Sequence, residues 1–108
     1  MNKTIKGIPG SGGTFTGKVR IIIDEKHINE FKAGEILVTR QTSPAWTPLF
    51  MAAKAVVTEV GGSLSHAAIV AREYGIPAVV GIRGITGELE TGQQIEVNGT
   101  SGEIKVFE

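Results

Sequence analysis

Short apolar runs alternate with glycine-rich or polar stretches along the 108 residues, and most of these runs are rich in β-branched side chains. Runs of this kind, bounded by glycine or polar residues, are typical of β-strands. The pattern therefore predicts a strand-rich chain, with strands in the ranges 4–9, 17–23, 35–39, 55–59, 78–81, 94–97 and 103–107.

Two short helices are predicted between these strands, one from Pro44 to about residue 53 and one over the range 66–74. Thr42 or Ser43 is the expected N-cap of the first, because both cap well and proline is favoured at the first helical position. The second helix is expected to end at Gly75, since glycine readily takes the left-handed conformation found there.

The connections complete the prediction. We expect a flexible turn over the range 10–13 and a polar connection with one helical turn over 24–31. The range 98–102 is predicted to be the turn of a hairpin. The alternation of strands and helices in the centre favours parallel pairing. We predict one domain spanning residues 1–108, of mixed α/β class, as a compact β/β/α domain with a central sheet or barrel-like core and a few short helices.

Composition narrows the function classes. Eleven Lys and Arg residues balance eleven Asp and Glu residues, so no basic field is available to hold nucleic acid or an anionic membrane. The chain has no cysteine, which excludes disulfides and thiol nucleophiles and fits a reducing compartment. No stretch has the pattern of a secretory leader or a membrane span. We therefore expect a cytoplasmic protein with neither nucleic acid nor membrane as a partner.

The candidate chemistry is concentrated around His66, which follows Gly61 and Gly62 at the predicted start of a helix. Backbone N–H groups at a helix start favour bound anions and disfavour a charged imidazolium. The glycines leave room for a bulky donor, and Ser65 is suited to cap the helix or to bind a phosphoryl group. From these residues alone two interpretations stay open. His66 either binds or transfers a phosphoryl group, or it is an ordinary histidine in the first turn of a helix near the surface.

The range 61–81 resembles the phosphohistidine segment of the phosphoenolpyruvate-utilising enzymes. That pattern runs Gly, Gly or Ala, any residue, Thr or Asn, any residue, the phosphorylated His, two small residues, two aliphatic residues, a small residue, then Arg or Gly. The chain meets every fixed position except one, where Leu64 stands in place of Thr or Asn. The range 42–48 is similar to the Thr-x-Pro-x-Trp-x-Pro run of the phosphoenolpyruvate synthase branch, and 7–19 resembles the opening of the same mobile domain.

The resemblance implies a swivelling carrier domain in which His66 is the phosphorylated nucleophile and Gly61, Gly62 and Ser65 form the phosphate-binding cradle. It implies an ATP-grasp nucleotide-binding domain and a phosphoenolpyruvate- or pyruvate-binding barrel domain as partners, in cis or in trans. Neither fits within 108 residues, so we expect a phosphoryl carrier that does not turn over alone. The chain itself is expected to bind no metal or other cofactor, and Mg²⁺ is expected on the partner domain.

Leu64 keeps a second hypothesis open. Leucine neither orients an imidazole ring nor binds a phosphoryl group, so either Ser63 or Ser65 takes over that role or the site is impaired. The alternative function is a non-phosphorylated interaction module that kept the fold and lost the chemistry. The donor, ATP or phosphoenolpyruvate, and the final acceptor stay open. So does the question of whether the chain is a free-standing subunit or one domain of a longer enzyme.

Four further features have more ordinary interpretations. Arg72 lies about 240° around the helix from His66 and is expected to form a salt bridge with a neighbour, with docking to a partner as the alternative. Trp46 suits the core and a docking surface equally well, and His27 is expected to be a solvated histidine. The range 12–19 nearly matches a phosphate-binding loop, but Val19 stands where Ser or Thr is required and begins a strand-like run.

Overall fold

The computed structural model describes residues 2–107, within which it places eight β-strands, three α-helices and two 3₁₀ helices. The strands are β1 Lys3–Lys6, β2 Ile8–Ser11, β3 Thr14–Ile21, β4 Ile36–Thr39, β5 Ala55–Thr58, β6 Ala78–Val80, β7 Gln94–Asn98 and β8 Glu103–Val106. The α-helices are α1 Thr47–Ala52, α2 His66–Tyr74 and α3 Ile85–Glu88, and the 3₁₀ helices are Glu25–Glu30 and Pro44–Trp46.

All eight strands belong to one sheet, in the order β1-β8-β7-β3-β4-β5-β6-β2. Strands β3 to β6 pair in parallel, and the other pairs are antiparallel. The two edge strands are β1 and β2, which are consecutive in the chain and separated only by Gly7. The sheet therefore curls so that its two edges meet, and the predicted α/β class with a central sheet and a few short helices is confirmed.

Glycine allows the close approaches at this seam. The N–H of Gly7 donates to the carbonyl of Gly102 over 2.7 Å. A Cβ atom at Gly7 would lie 2.5 Å from the Ile82 side chain, and one at Gly99 would lie 1.7 Å from the carbonyl oxygen of Ser11. A side chain at Gly99 would clash with the backbone of β2, and one at Gly7 would force the Ile82 side chain to move.

The parallel strands are buried on both faces. Every residue of β4 and β5 is buried, which explains why their sequences are continuous apolar runs rather than alternating ones. Leu37 and Val56 face the layer that contains α1 and α2, whereas Val38 and Val57 face the layer that contains β7 and β8. The helices and the antiparallel flank thus each cover one side of the same parallel strands.

Several predicted boundaries were wrong. The range 4–9, predicted as one strand, is two strands that part at Gly7. Gly10 and Ser11, predicted as part of a flexible turn, belong to β2, because Ser11 pairs with Ala78 of β6. The strand predicted over 17–23 is β3, which begins three residues earlier and ends at Ile21. Partners distant in sequence set these boundaries.

The local signals for α2 and for the final hairpin are confirmed. Helix α2 spans the predicted residues and ends at Gly75, which has a φ of 71° and donates to the carbonyls at the end of the helix. Strands β7 and β8 pair antiparallel across the predicted turn, with Asn98 opposite Glu103. No helix within residues 2–107 is long and apolar enough to cross a membrane.

Candidate functional site

The candidate site lies at the carboxyl ends of the parallel strands. The loop 40–43 follows β4 and the loop 59–65 follows β5. Because the two strands run in the same direction, both loops lie at the same end of the strands. In open α/β sheets, ligands are usually bound at the carboxyl ends of the strands. Helix α2 begins from the second loop, and its first residue is His66.

Groups from the other loop and from α1 fix the His66 ring. The Nδ1 atom of His66 lies 2.7 Å from Oγ1 of Thr42, which is hydrogen-bonding distance. The ring meets the Phe50 ring edge to face, with centroids 6.0 Å apart and planes at 80°. Within residues 2–107, Nε2 has no hydrogen-bonding partner. Of the two ring nitrogens, Nε2 is therefore the one left available for chemistry.

Thr42 is a site residue that sequence analysis missed. It was predicted, with Ser43, as a helix N-cap; Ser43 occupies the N-cap position of the 3₁₀ helix, but no side chain caps that helix. The Thr42 hydroxyl is committed to His66 instead. The predicted helix also begins with a 3₁₀ turn and becomes α-helical only at Thr47. The one sequence signal for a role of Thr42 is the Thr-x-Pro-x-Trp-x-Pro resemblance over 42–48. That resemblance does not show which residues the threonine contacts.

The two glycines before His66 have different structural roles. Gly61 has a φ of 115°, a conformation that favours glycine, and a Cβ atom there would lie 2.7 Å from the Ser65 side chain. An added Cβ at Gly62 would meet nothing within 4 Å. Gly61 is therefore needed for the turn, whereas Gly62 leaves open space in front of the helix.

Ser65 lies at the N-cap of α2, but its side chain does not cap the helix, contrary to one of its two predicted roles. Its hydroxyl donates to the carbonyl of Gly62 over 2.8 Å, and its own N–H donates to the same carbonyl over 3.0 Å. The first helical N–H groups, those of His66, Ala67 and Ala68, have no carbonyl within the helix to bond. These amides remain directed out of the helix start, where an anion is favoured.

Leu64 is the most exposed large apolar side chain within residues 2–107, at 82% of its full accessible area. The expectation that Ser63 or Ser65 would take over the role of Thr or Asn is not met for the ring, because Thr42 orients it. The hydroxyl hydrogen of Ser65 is engaged with Gly62. The ring therefore has a hydroxyl partner even though position 64 is leucine, because Thr42 provides it.

Arg72 does not form the predicted salt bridge, since no ion pair within residues 2–107 involves it. Its guanidinium donates to the carbonyl of Gly10 over 2.6 Å and to the carbonyl of Ser63 over 2.7 Å. Through these two bonds Arg72 ties the edge strand β2 to the loop that precedes His66. Trp46 is buried in the core, as one of its two interpretations predicted.

Glu59, in the loop after β5, holds α3 in place. Its carboxylate accepts from the Thr86 hydroxyl over 2.5 Å and from the Thr86 N–H over 2.9 Å. These bonds, first from the side chain and then from the backbone, lower the pKa of Glu59. Arg40 lies next to this pair, with its Nε 4.0 Å from a Glu59 oxygen. Helix α3 was not predicted because its short sequence, Ile-Thr-Gly-Glu, depends on this distant carboxylate.

An open cleft of about 600 Å³ adjoins the site. Thr42 lines it and also bonds His66, so the cleft and the histidine share one wall. The other lining residues are Ile23, Asp24, Glu25, Arg40, Gln41, Ser43, Trp46 and Val60. The residues from 2 to 107 contain no cluster of three or more His, Cys, Asp or Glu residues that could hold a metal ion. His27 is exposed and bonds Glu30 through Nδ1 at 2.8 Å, as expected of a solvated histidine.

The fold and site together define a small α/β domain that presents one anchored histidine at the junction of a glycine loop and a helix. Residues 31–102 match the family described as the mobile domain of phosphoenolpyruvate-utilising enzymes. The chain belongs to this family, so the resemblance found in its sequence is confirmed.

Curated relatives agree with this assignment. The chain is 53% identical to the uncharacterized phosphotransferase YvkC of Bacillus subtilis, covering 94% of this chain and 12% of that protein. It is 49% identical to a rifampicin phosphotransferase of Streptomyces sviceus, again covering 94% and 12%. It is 56% identical to a phosphoenolpyruvate synthase of Helicobacter pylori, covering 82% and 11%. The chain thus spans only 12% or less of the length of these relatives.

Solved structures share the fold. The solution structure of an Enzyme I protein matches with a TM-score of 0.61 and 30% identity, over 71% of this chain and 32% of that one. Aconitase X of Thermococcus kodakaraensis matches with a TM-score of 0.74 over 98% of this chain and 99% of that one, at 22% identity. At that identity the second likeness concerns the fold alone.

Proposed function

We propose that this chain is a phosphoryl carrier that accepts a phosphoryl group on Nε2 of His66 and passes it to an acceptor. The observation that carries the proposal is the 2.7 Å contact between Nδ1 of His66 and the Thr42 hydroxyl. It commits one ring nitrogen to Thr42 and leaves the other without a hydrogen-bond partner within residues 2–107, on a half-buried side chain at an uncapped helix start.

The contact accommodates the tautomer that this chemistry requires, because the Thr42 hydroxyl can accept a hydrogen bond from a protonated Nδ1. With the proton on Nδ1, the ring donates to Oγ1 of Thr42, and Nε2 keeps its lone pair. In the forward step the lone pair of Nε2 attacks phosphorus. The N–P bond forms while the P–O bond to the donor breaks, and the leaving group departs with that bond's electron pair. In the onward step a nucleophilic atom of the acceptor attacks phosphorus, and its bond to phosphorus forms while the N–P bond breaks and returns its electron pair to Nε2. The ring nitrogen facing Thr42 holds its proton throughout, so neither step requires a proton transfer at the ring.

The surroundings of Nε2 suit a phosphoryl group. The first N–H groups of α2 have no side-chain cap and favour negative charge, typically by about 0.3–1 kcal/mol at a helix start. The open space at Gly62 leaves room for a bound group in the loop that precedes the ring. In this proposal Gly61 shapes the cradle, Gly62 leaves it open, and Ser65 fixes the loop by bonding Gly62.

Such a carrier needs a donor and an acceptor from outside these residues. We propose an ATP-grasp nucleotide-binding domain, a phosphoenolpyruvate- or pyruvate-binding barrel domain, or both, in cis or in trans. The support is family membership together with the small share of the relatives' length that the chain spans. Mg²⁺ would be bound on those domains, where it would neutralise the phosphates of the donor.

The alternative, a non-phosphorylated interaction module, rested on Leu64. The geometry gives it less support than the sequence did, because the hydroxyl partner of the ring comes from Thr42 and not from position 64. The anchored ring and the open space at Gly62 support the carrier over this alternative.

The proposal is tested by intact-protein mass spectrometry under mildly alkaline conditions, in which phosphohistidine survives. The chain is incubated with an extract of its own cell and either phosphoenolpyruvate or ATP. One added phosphoryl group is expected on the native chain and on His27→Ala, the matched control in an exposed histidine, and none on His66→Ala. No addition to the native chain, in an extract that phosphorylates a known carrier, would support the non-phosphorylated module.

A further inference from the structure

Arg72 commits an exposed positive charge to the protein's own backbone. It lies on α2, six residues after His66, and is accessible to solvent. Its Nη1 atom nevertheless donates to the carbonyl of Gly10 over 2.6 Å, and its Nη2 atom donates to the carbonyl of Ser63 over 2.7 Å. Hydrogen bonds from an ionised donor are among the stronger ones in proteins. These two bonds form a brace that joins β2, α2 and the loop before His66.

At one end of the brace, strand β2 departs from regular pairing. The register between β2 and β6 shifts by one residue at Gly10, which makes this glycine a β-bulge. A Cβ atom at Gly10 would lie 3.2 Å from the carbonyl oxygen of Ala78 and 3.4 Å from the Cβ atom of Ala68 on α2. The backbone of β2 therefore comes close to α2 at the bulge, and the Gly10 carbonyl lies within reach of Arg72.

At the other end of the brace is the loop that leads into His66. The Ser63 carbonyl, which accepts from Arg72, lies three residues before the histidine. Both the N–H and the hydroxyl of Ser65 donate to the carbonyl of Gly62, so bonds close the loop around Ser63. The loop is therefore bonded within itself and, through the brace, to α2.

The direction of the Ser65 hydroxyl is what this arrangement controls. A serine at an N-cap ordinarily accepts a hydrogen bond from N–H groups of the helix that follows. Ser65 lies at the N-cap of α2, but its hydroxyl donates to Gly62 and does not cap the helix. A loop that was free to move would let the hydroxyl turn to those N–H groups, where it would compete with a phosphoryl group on His66.

We propose that Arg72 is a positioning residue for phosphoryl transfer, because its brace holds the loop in the form that keeps the Ser65 hydroxyl away from the start of α2. Arg72 lies about 9 Å along the helix axis from His66. Its two bonded nitrogens face backbone carbonyls, so it acts through the loop and not by contact with phosphorus. This inference rests on the proposed function, because an uncapped helix start matters only to a chain that accepts a phosphoryl group.

The test measures the initial rate of phosphoryl uptake from phosphoramidate, a small donor that needs no docking surface and releases ammonia. All variants carry His27→Ala, so that His66 is the one histidine left in the chain. Arg72→Gln is expected to lower the rate about tenfold or more, since small displacements near a reacting group have effects of this size. Arg83→Gln is the matched control and is expected to keep the native rate. Arg83 is exposed, and its side chain makes no hydrogen bond or ion pair within residues 2–107.

A double-mutant cycle with Ser65→Ala separates positioning from a general effect on the fold. Without its hydroxyl, residue 65 cannot cap α2, so the loss of the brace should matter less. The effect of Arg72→Gln on the rate is therefore expected to shrink from about tenfold to less than about threefold in the Ser65→Ala background. An undiminished effect in that background would overturn the inference, because Arg72 would then act on the whole fold or on the phosphoryl group itself.

Uptake from the cell extract distinguishes this inference from docking and from failure of the proposed function. Arg72→Gln is expected to be slowed with the extract as well as with phosphoramidate. Slowing with the extract alone would overturn the inference, by showing that Arg72 contacts a partner. A native rate with both donors would overturn the inference while leaving the proposed function standing. No phosphate on the native chain from the extract would overturn both proposals.

Arg72→Lys separates the brace from the positive charge, and it takes the place of Arg72→Gln in the same cycle if that variant does not fold. Lysine keeps the charge, but its donors lie on one nitrogen and lack the planar fork of arginine. Uptake by Arg72→Lys from phosphoramidate is therefore expected to be slower than native by about threefold or more. A native rate in Arg72→Lys would show that the charge alone is sufficient and would contradict the brace.

Discussion

The loops that follow β4 and β5 both contribute to the site around His66, but they are built differently. The first provides side chains to another element: Thr42 bonds the ring, and Phe50, in the helix beyond the loop, packs against it. The second is held by bonds between Ser65 and Gly62 and by bonds from Glu59 and Ser63 to α3 and α2, and it leaves Leu64 in solvent. One region therefore anchors the His66 ring, whereas the other forms a fixed, open loop in front of α2.

The largest expected effect comes from breaking the first region at Phe50. This side chain is 1% exposed and supports both the core and the His66 ring. Phe50→Ala is expected to lower the free energy of unfolding by about 3–5 kcal/mol, measured by urea denaturation. The adjacent Met51 is 73% exposed, and Met51→Ala is expected to stay within about 0.5 kcal/mol of the native chain. A similar loss in both variants would mean that Phe50 is not a core contact.

The two glycines of the second region allow a finer comparison. Gly61→Ala places a side chain on a backbone with a φ of 115° and against Ser65, so we expect a loss of about 1–3 kcal/mol in unfolding free energy. Gly62→Ala meets open space and is expected to change stability by about 0.5 kcal/mol or less. Its effect should appear in phosphoryl uptake instead, because the methyl group narrows the cradle. Equal unfolding free energies for the two variants would contradict the different roles assigned to these glycines.

The smallest expected effect concerns Glu59, which joins the second loop to α3. Its pKa is lowered in the folded chain, so its ionised form stabilises the fold above the ordinary carboxyl pKa, and this contribution is lost as the pH falls through the lowered value. Glu59→Gln is expected to cost about 1 kcal/mol at pH 7 and less at pH 3. Urea denaturation at both pH values measures the difference, with the exposed Glu73→Gln as the control. A cost that does not shrink on acidification would contradict this role of the carboxylate.

The parts of the molecule that sequence analysis predicted are those specified by neighbouring residues. Helix α2 and its end at Gly75 follow from local apolar spacing and a glycine that accepts a positive φ. The buried strands β4 and β5 follow from uninterrupted apolar runs, and the final hairpin follows from its turn residues. These signals depend on only a few residues each, so tertiary structure did not overrule them.

The contacts that make the site specific were not predictable in this way. Thr42 and His66 are 24 residues apart, and Arg72 and Gly10 are 62 apart. They meet only because β4 and β5 pair in parallel and β2 returns to the edge of the sheet beside β6. The resemblance marked His66 and the run around Thr42 separately. It did not say that Thr42 hydrogen-bonds His66. It therefore did not show that the ring has a hydroxyl partner despite the departure at Leu64.

The most direct test of the account is to determine which ring nitrogen of His66 carries the phosphoryl group. The chain labelled with ¹⁵N in its histidines is phosphorylated, and the coupling between phosphorus and nitrogen is read by NMR. The account predicts coupling to Nε2, with Nδ1 protonated and hydrogen-bonded to Thr42, and loss of the Nδ1 hydrogen-bond signature in Thr42→Val but not in Thr42→Ser. Coupling to Nδ1, or an unchanged signature in Thr42→Val, would contradict the claim that Thr42 reserves Nε2 for the phosphoryl group.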